Sequence, residues 1–205
     1  FISGNPRFEP AYSKLLERFL IHDSLDAATH YFINRVPEPE TQQHALWMLA
    51  KIYDITDRPD SALVCYKQAL ETQPTPSLLL QDYVEFDVKH KQRFQVLESI
   101  QQNHPEHYPL ARAFYLYATS RFDKAIELLA DAFERHPSPD LCYAYCCALI
   151  QQYDTKLSRM GLTDCLKVEK EWGDLRYQSL ILSYLALVST EENKTELALK
   201  YAREA

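Results

Sequence analysis

Apolar residues recur at helical spacing along most of the chain. Leu46, Leu49, Ala50 and Tyr53 fall at i, i+3, i+4 and i+7, one stripe of an amphipathic helix. A turn around Asp57-Arg58-Pro59 follows, and then a second stripe of Ala62, Tyr66 and Ala69 that Pro74 closes. Asp57 is the expected N-cap. Pro59 fits a first helical turn, where the missing N–H has no intrahelical partner. Two short helices joined by so few residues must pack antiparallel, with the small side chains of Ala50 and Ala62 at the closest approach.

The same pattern returns further on. Ala113 and Leu116 precede a turn at Ser120-Arg121-Phe122-Asp123-Lys124, and Ala125, Leu129, Ala132 and Pro137 follow it at the spacing seen from Ala62 to Pro74. Weaker copies run through Tyr12, Leu15, Leu16 and Phe19 with Leu25, Ala28 and Phe32. Others run through Leu80, Tyr83 and Val84 with Val96, Leu97 and Ile100, and through Leu182, Leu185 and Ala186 with Ala198, Tyr201, Ala202 and Ala205. One stretch is irregular. Tyr143, Cys146, Cys147 and Ile150 make a first helix, but its partner is expected only over Leu162, Cys165, Leu166, Val168 and Trp172. That leaves an insertion at residues 154–161, expected as a lengthened first helix or a loop, or more sharply as a functional protrusion on one face.

In spacing and residue type this resembles the tetratricopeptide repeat, a helix–turn–helix of 34 residues with fixed large, small and proline positions. Leu46, Leu49, Ala50, Tyr53, Ala62, Tyr66, Ala69 and Pro74 match its signature in register, as do Ala113, Leu116, Phe122, Ala125, Ala132 and Pro137. Arg112 departs from it, standing where the family prefers a large apolar residue. The resemblance implies an all-α superhelix, a single solenoid over residues 1–205 with repeats at about 9–42, 43–76, 77–108, 109–138, 139–173 and 174–205. It also implies a concave face lined by the first helix of each pair. Carried onto this chain, that face takes Ser13 and Glu17, His44, Trp47 and Lys51, Gln81 and Glu85, Leu110, Phe114 and Tyr117, Ala144 and Ala148, and Ser183 and Leu187. Trp47, Lys51, Glu85, Phe114 and Tyr117 are the expected partner-binding residues, the aromatics because large rings off the core stripe are the usual anchors of an interface. Family members that grip the acidic tails of heat-shock chaperones use Lys, Asn and Arg at these places; here only Lys51 is of that type, so that role is not expected.

Composition narrows the chemistry. The chain has 3 glycines, where roughly 14 would be average, so the glycine-rich loops of nucleotide binding and the nucleophile elbow of many hydrolases cannot be built. Its formal charge of −7 is spread over both halves and disfavours nucleic acid as a partner. No apolar run approaches a membrane span. The five cysteines, Cys65, Cys142, Cys146, Cys147 and Cys165, lie in helical stretches and read as small buried hydrophobes of a reducing, cytoplasmic compartment. Cys142 and Cys146 share a helix face, yet zinc sites usually pair two such motifs, so no metal or other cofactor is expected. His104 and His107 flank Pro105 in an expected loop, and Asn193-Lys194-Thr195 is a glycosylation pattern of high chance rate. The expected function is a non-catalytic scaffold that holds a partner protein or peptide in its groove. The alternative is a sensory or regulatory module of a larger polypeptide, such as a transcription regulator or a secretion component. The chain starts at Phe1, and its last stripe carries no polar capping helix, so further sequence or a homodimer through the C-terminal end is expected.

Overall fold

The computed structural model describes residues 9–22, 24–72, 77–135, 137–151, 155–172 and 175–205. Pro74 and Asp154, and the side chains of Tyr143, Cys147, Ile150 and Trp172, lie outside the described residues. Among those described there is no strand. The helices are α1 (Glu9–Ile21), α2 (Leu25–Ile33), α3 (Gln42–Ile55), α4 (Pro59–Leu70), α5 (Ser77–Lys89), α6 (Val96–Asn103), α7 (Tyr108–Ala118), α8 (Phe122–Arg135), α9 (Pro139–Gln151), α10 (Thr155–Trp172), α11 (Leu175–Glu191) and α12 (Thr195–Glu204). His104 leads into a short 3-10 turn over Pro105–His107 rather than an open loop. The helices gather into two compact units that divide between Phe86 and Asp87, within α5.

One turn recurs at four helix junctions. Between α3 and α4 the Arg58 N–H donates to the Tyr53 carbonyl (2.8 Å) and the Asp57 N–H to Asp54 (3.4 Å), with Asp57 in the left-handed region at φ 55°. Between α7 and α8, Arg121 bonds back to Leu116 (2.8 Å) and Ser120 to Tyr117 (2.9 Å), with Ser120 at φ 58°. Between α11 and α12, Lys194 bonds to Ser189 (2.8 Å) and Asn193 to Thr190 (3.0 Å), with Asn193 at φ 60°. The Ser24 N–H donates to the Phe19 carbonyl (3.0 Å) in the same way between α1 and α2. At the first three of these junctions the two hydrogen bonds back to the last turn make the Schellman closure, usually built on glycine, and at the fourth the longer of the two bonds is present. A chain poor in glycine builds it on Asp, Ser and Asn, short polar residues that tolerate the left-handed conformation. Asp57 is therefore not the N-cap of α4. That place belongs to Arg58, which makes no side-chain cap.

The residue that ends each closure also starts the next helix. Ala28, Ala62, Ala125 and Ala198 donate their N–H groups to the carbonyls of Ser24, Arg58, Arg121 and Lys194 at 2.9–3.1 Å. All four alanines are buried, the first three completely. So tight a link brings the second helix directly against the first, and a side chain beyond a methyl group at this position would push them apart. Ala28 and Ala62 are separated by the period expected of a tetratricopeptide repeat.

The α9–α10 pair is built differently. Residues 155–161 form neither a loop nor an extension of the first helix; they lengthen the second helix, α10, at its N-terminal end. Small residues let it approach α9. Ser158 is buried and its hydroxyl donates to the Leu149 carbonyl at 2.6 Å. A Cβ on Gly161 would collide with the Leu149 side chain and sit 3.1 Å from the Tyr145 hydroxyl. The α5–α6 junction is also distinct: the buried carboxylate of Asp87 accepts the N–H groups of Phe94 (3.0 Å) and Val96 (2.9 Å).

In the first unit α3 is packed by α1, α2 and α4 and buries nine residues from Gln43 to Ile52. Gln43 survives burial because its amide donates to the carbonyls of Ala69 (3.2 Å) and Thr72 at the end of α4. In the second unit α9 takes the central place, between α7, α8, α10 and α11.

Replacing Ala125 with Leu is expected to cost about 1–3 kcal/mol by overpacking the crossing, read as a lower urea midpoint at unchanged slope. A second expectation concerns Glu192, whose carboxylate receives the Lys194 ammonium (2.8 Å) and the Arg159 guanidinium (3.0 Å), tying α10 to the α11–α12 turn. The hydrogen bond from Lys194, and then the charge of Arg159, hold its pKa below the ordinary value. A lowered carboxylate pKa adds stability above the unfolded value, about 4.3, and loses it as pH falls through the folded one. Glu192→Gln is therefore expected to lower the unfolding free energy at pH 7 by about 1 kcal/mol or less, read by urea denaturation, and the difference from the parent is expected to vanish once the pH is below the lowered pKa.

Candidate functional site

The polar side chains that α3 and α5 bring together lie over a buried aromatic. Trp47 is 1 % exposed, and its indole N–H reaches the edge of the core to donate to Asp82 Oδ2 at 2.8 Å. One turn further along α3, the Lys51 ammonium donates to the same oxygen at 2.7 Å and stands 5.9 Å from the centre of the indole ring, within cation–π range. The Lys51 and Asp82 side chains keep 34 % and 22 % of their surface in solvent. On α5 the Gln81 amide donates to Glu85 Oε1 at 2.8 Å. The result is a half-exposed rim of Lys51, Gln81, Asp82 and Glu85, fixed in place by an indole that packs below it. Behind the indole, His44 stacks on Tyr12 with ring centres 4.7 Å apart, and burial pushes the Tyr12 hydroxyl up to about 12.

Two of the expected anchors sit in the core. Trp47 and Phe114 are 1 % and 4 % exposed, so they do not stand off the core stripe as the register suggested. Lys51, Glu85 and Tyr117 are half-exposed, with Tyr117 edge-on to Phe122 at 5.3 Å. Of the other groove positions, His44, Leu110, Ala144 and Ala148 are buried, Ser13 and Gln81 are half-exposed, and Glu17, Ser183 and Leu187 are exposed. Lys51, Glu85 and Tyr117 lie toward the C-terminal ends of their helices, but position along the helix does not sort the rest: Ala148, as near the end of α9, is buried, and Ser183, midway along α11, is exposed. Trp47, Lys51 and Glu85 belong to the first unit, Phe114 and Tyr117 to the second. Asp82, which organises the rim, escaped the sequence reading, because it contacts α3 across roughly a full repeat.

The second unit holds the candidate metal ligands. Cys142 and Cys146 on α9 and Cys165 on α10 are buried, and their sulfur atoms all lie within 4.8 Å of one another. Hydrogen bonds from the Cys142 and Cys146 thiols draw Cys165 down to about 5, while the bonds Cys146 shares with Cys142 and Cys165, together with burial, raise its own pKa. Glu169, also fully buried, lies one turn beyond Cys165 on α10, outside the close group that the three sulfurs form. Sequence spacing flagged the pair on α9. It missed Cys165 and Glu169, although these too stand four residues apart on one helix.

No protein-family model matches the chain, and no curated protein sequence does.

Because Trp47 combines near-complete burial with a hydrogen bond, Trp47→Ala is expected to cost about 3–5 kcal/mol. Lys51→Ala, which breaks a half-exposed ion pair, is expected to cost about 1 kcal/mol or less. Chemical denaturation of the two variants side by side checks the contrast.

Proposed function

We propose that each unit is a tetratricopeptide-like stack of helix hairpins and that the chain is a non-catalytic scaffold for a partner protein or peptide. The observation that carries this reading is the recurrence of one turn with one buried alanine at four junctions, the construction of a helical repeat. A hairpin in such an array covers its flanks with its neighbours and leaves the ends of its first helices open to another chain. In the first unit that open region is the rim of Lys51, Gln81, Asp82 and Glu85. Asp82 already pairs with Lys51, so Glu85 supplies the uncompensated charge, and a peptide segment with a basic side chain is the fitting partner. The rim offers a surface charge pattern opposite to the basic clamp used for acidic tails. Charges at a half-exposed rim govern encounter and specificity more than raw affinity.

Glu85→Lys reverses the uncompensated charge of the rim and leaves the contacts among Trp47, Lys51 and Asp82 in place. The substituted chain is expected to keep its melting temperature within a few degrees and to lose the proteins that the parent captures from a native lysate. Capture by the parent is expected to weaken as salt is raised. Identical captured sets from parent and folded variant would remove the rim from the reading.

A further inference from the structure

We propose that Cys142, Cys146, Cys165 and Glu169 form a closed, four-coordinate structural zinc site between α9 and α10, independent of whatever the chain binds on its surface. The four residues come as two pairs at i and i+4, Cys142 with Cys146 on α9 and Cys165 with Glu169 on α10. That spacing sets each pair on one helix face, and α9 and α10 pack against each other. Facing helices that each present two ligands are the means by which helical bundles hold metals in their cores. Zinc bonds to sulfur at about 2.3 Å, so two sulfurs on one tetrahedral ion are about 3.8 Å apart. The three sulfurs here lie within 4.8 Å of one another, and rotation about the Cα–Cβ bonds closes such a gap.

The burial of all four groups argues for a structural ion. Cys142 is 1 % exposed, and Cys146, Cys165 and Glu169 are 0 % exposed. A closed site with no solvent-facing position has no place for a reacting water. Carboxylate and thiolates in one buried cluster repel one another; a dication reverses the sign of that interaction and makes deprotonation of the thiols favourable. Three sulfur donors select a thiophilic ion over magnesium or calcium, and the carboxylate supplies a fourth donor that suits zinc better than cuprous copper, for which three thiolates suffice.

The test uses the 205-residue chain, expressed with added zinc and purified without chelator. Plasma mass spectrometry is expected to find one zinc per chain, and none in the Cys142→Ser/Cys165→Ser variant. Since unfolding of that variant would also release metal, a second measurement is made on the parent chain. After stripping and reduction, titration with cobalt(II) is expected to give sulfur-to-cobalt charge transfer and the strong visible bands of a tetrahedral thiolate site, saturating at one equivalent and bleached by zinc. Glu169→Gln is expected to keep the charge transfer, alter the visible bands and weaken zinc at least tenfold in competition with a chromogenic chelator. A stripped chain that shows neither thiolate-to-cobalt absorption nor a zinc-dependent rise in melting temperature overturns the proposal. So does a thiol count two short of five in the denatured protein as purified, which would mark a disulfide.

Discussion

Ending one helix and starting the next within a single residue leaves little freedom in how the two can lie. The left-handed residue reverses the chain, the Schellman bonds satisfy the last carbonyls, and the residue after it is already the N-cap of the next helix. The second helix then descends along the first at contact distance, and its fourth residue falls at the crossing. Alanine there is a steric necessity, which is why Ala28, Ala62, Ala125 and Ala198 are buried while their chain neighbours vary. Asp57, Ser120 and Asn193 accept the left-handed backbone at a cost glycine would avoid. In return they restrict the unfolded chain more than glycine would. A protein can thus dispense with glycine and still turn sharply.

Much of this was legible in the sequence, for a physical reason. A helix that contacts one neighbour writes a single apolar stripe at i, i+3 and i+4, and the small residue at each crossing interrupts it at a fixed offset. Leu46, Leu49, Ala50, Ala62, Tyr66 and Ala69 all occupy the buried places that the stripes assign. The second neighbour of an inner helix is less visible. Residues that meet it fall on what looks like the outer face, and an aromatic there reads equally as an anchor for a partner or as packing. Trp47 and Phe114 are packing. Their polar surroundings give a faint clue, since a tryptophan buried within a repeat needs an acceptor for its N–H, and Asp82 provides it from the next first helix.

The α9–α10 pair shows where periodicity fails. Its crossing uses Ser158 and Gly161 in place of a single alanine, and the added turn of helix in front of them resembles a loop to any reading that counts stripes. Serine stays in the helix because its hydroxyl is spent on the Leu149 carbonyl, and glycine stays because the Leu149 and Tyr145 side chains fill the space its own would take. Glycine in a helix interior costs about 1 kcal/mol against alanine. The pair therefore gives up intrinsic helix stability to bring α9 and α10 close, and the closeness is what assembles the sulfur cluster.

That cluster and the rim over Trp47 place chemistry at opposite ends of the burial scale, and the fold accounts for both. An inner helix faces a neighbour on each side over most of its length, so ionisable groups there must be satisfied by one another, as the three cysteines are. Toward the C-terminal end of α3, by contrast, Lys51 keeps 34 % of its side-chain surface in solvent. Contacts made there depend on orientation set from below: Asp82 is held by the Trp47 N–H and the Lys51 ammonium at once, so the spacing of the rim charges is fixed by the core. A partner would meet a preorganised charge pattern and forgo the entropic cost of ordering it. In the proposed scaffold a single indole would thus couple stability to recognition without touching the partner itself.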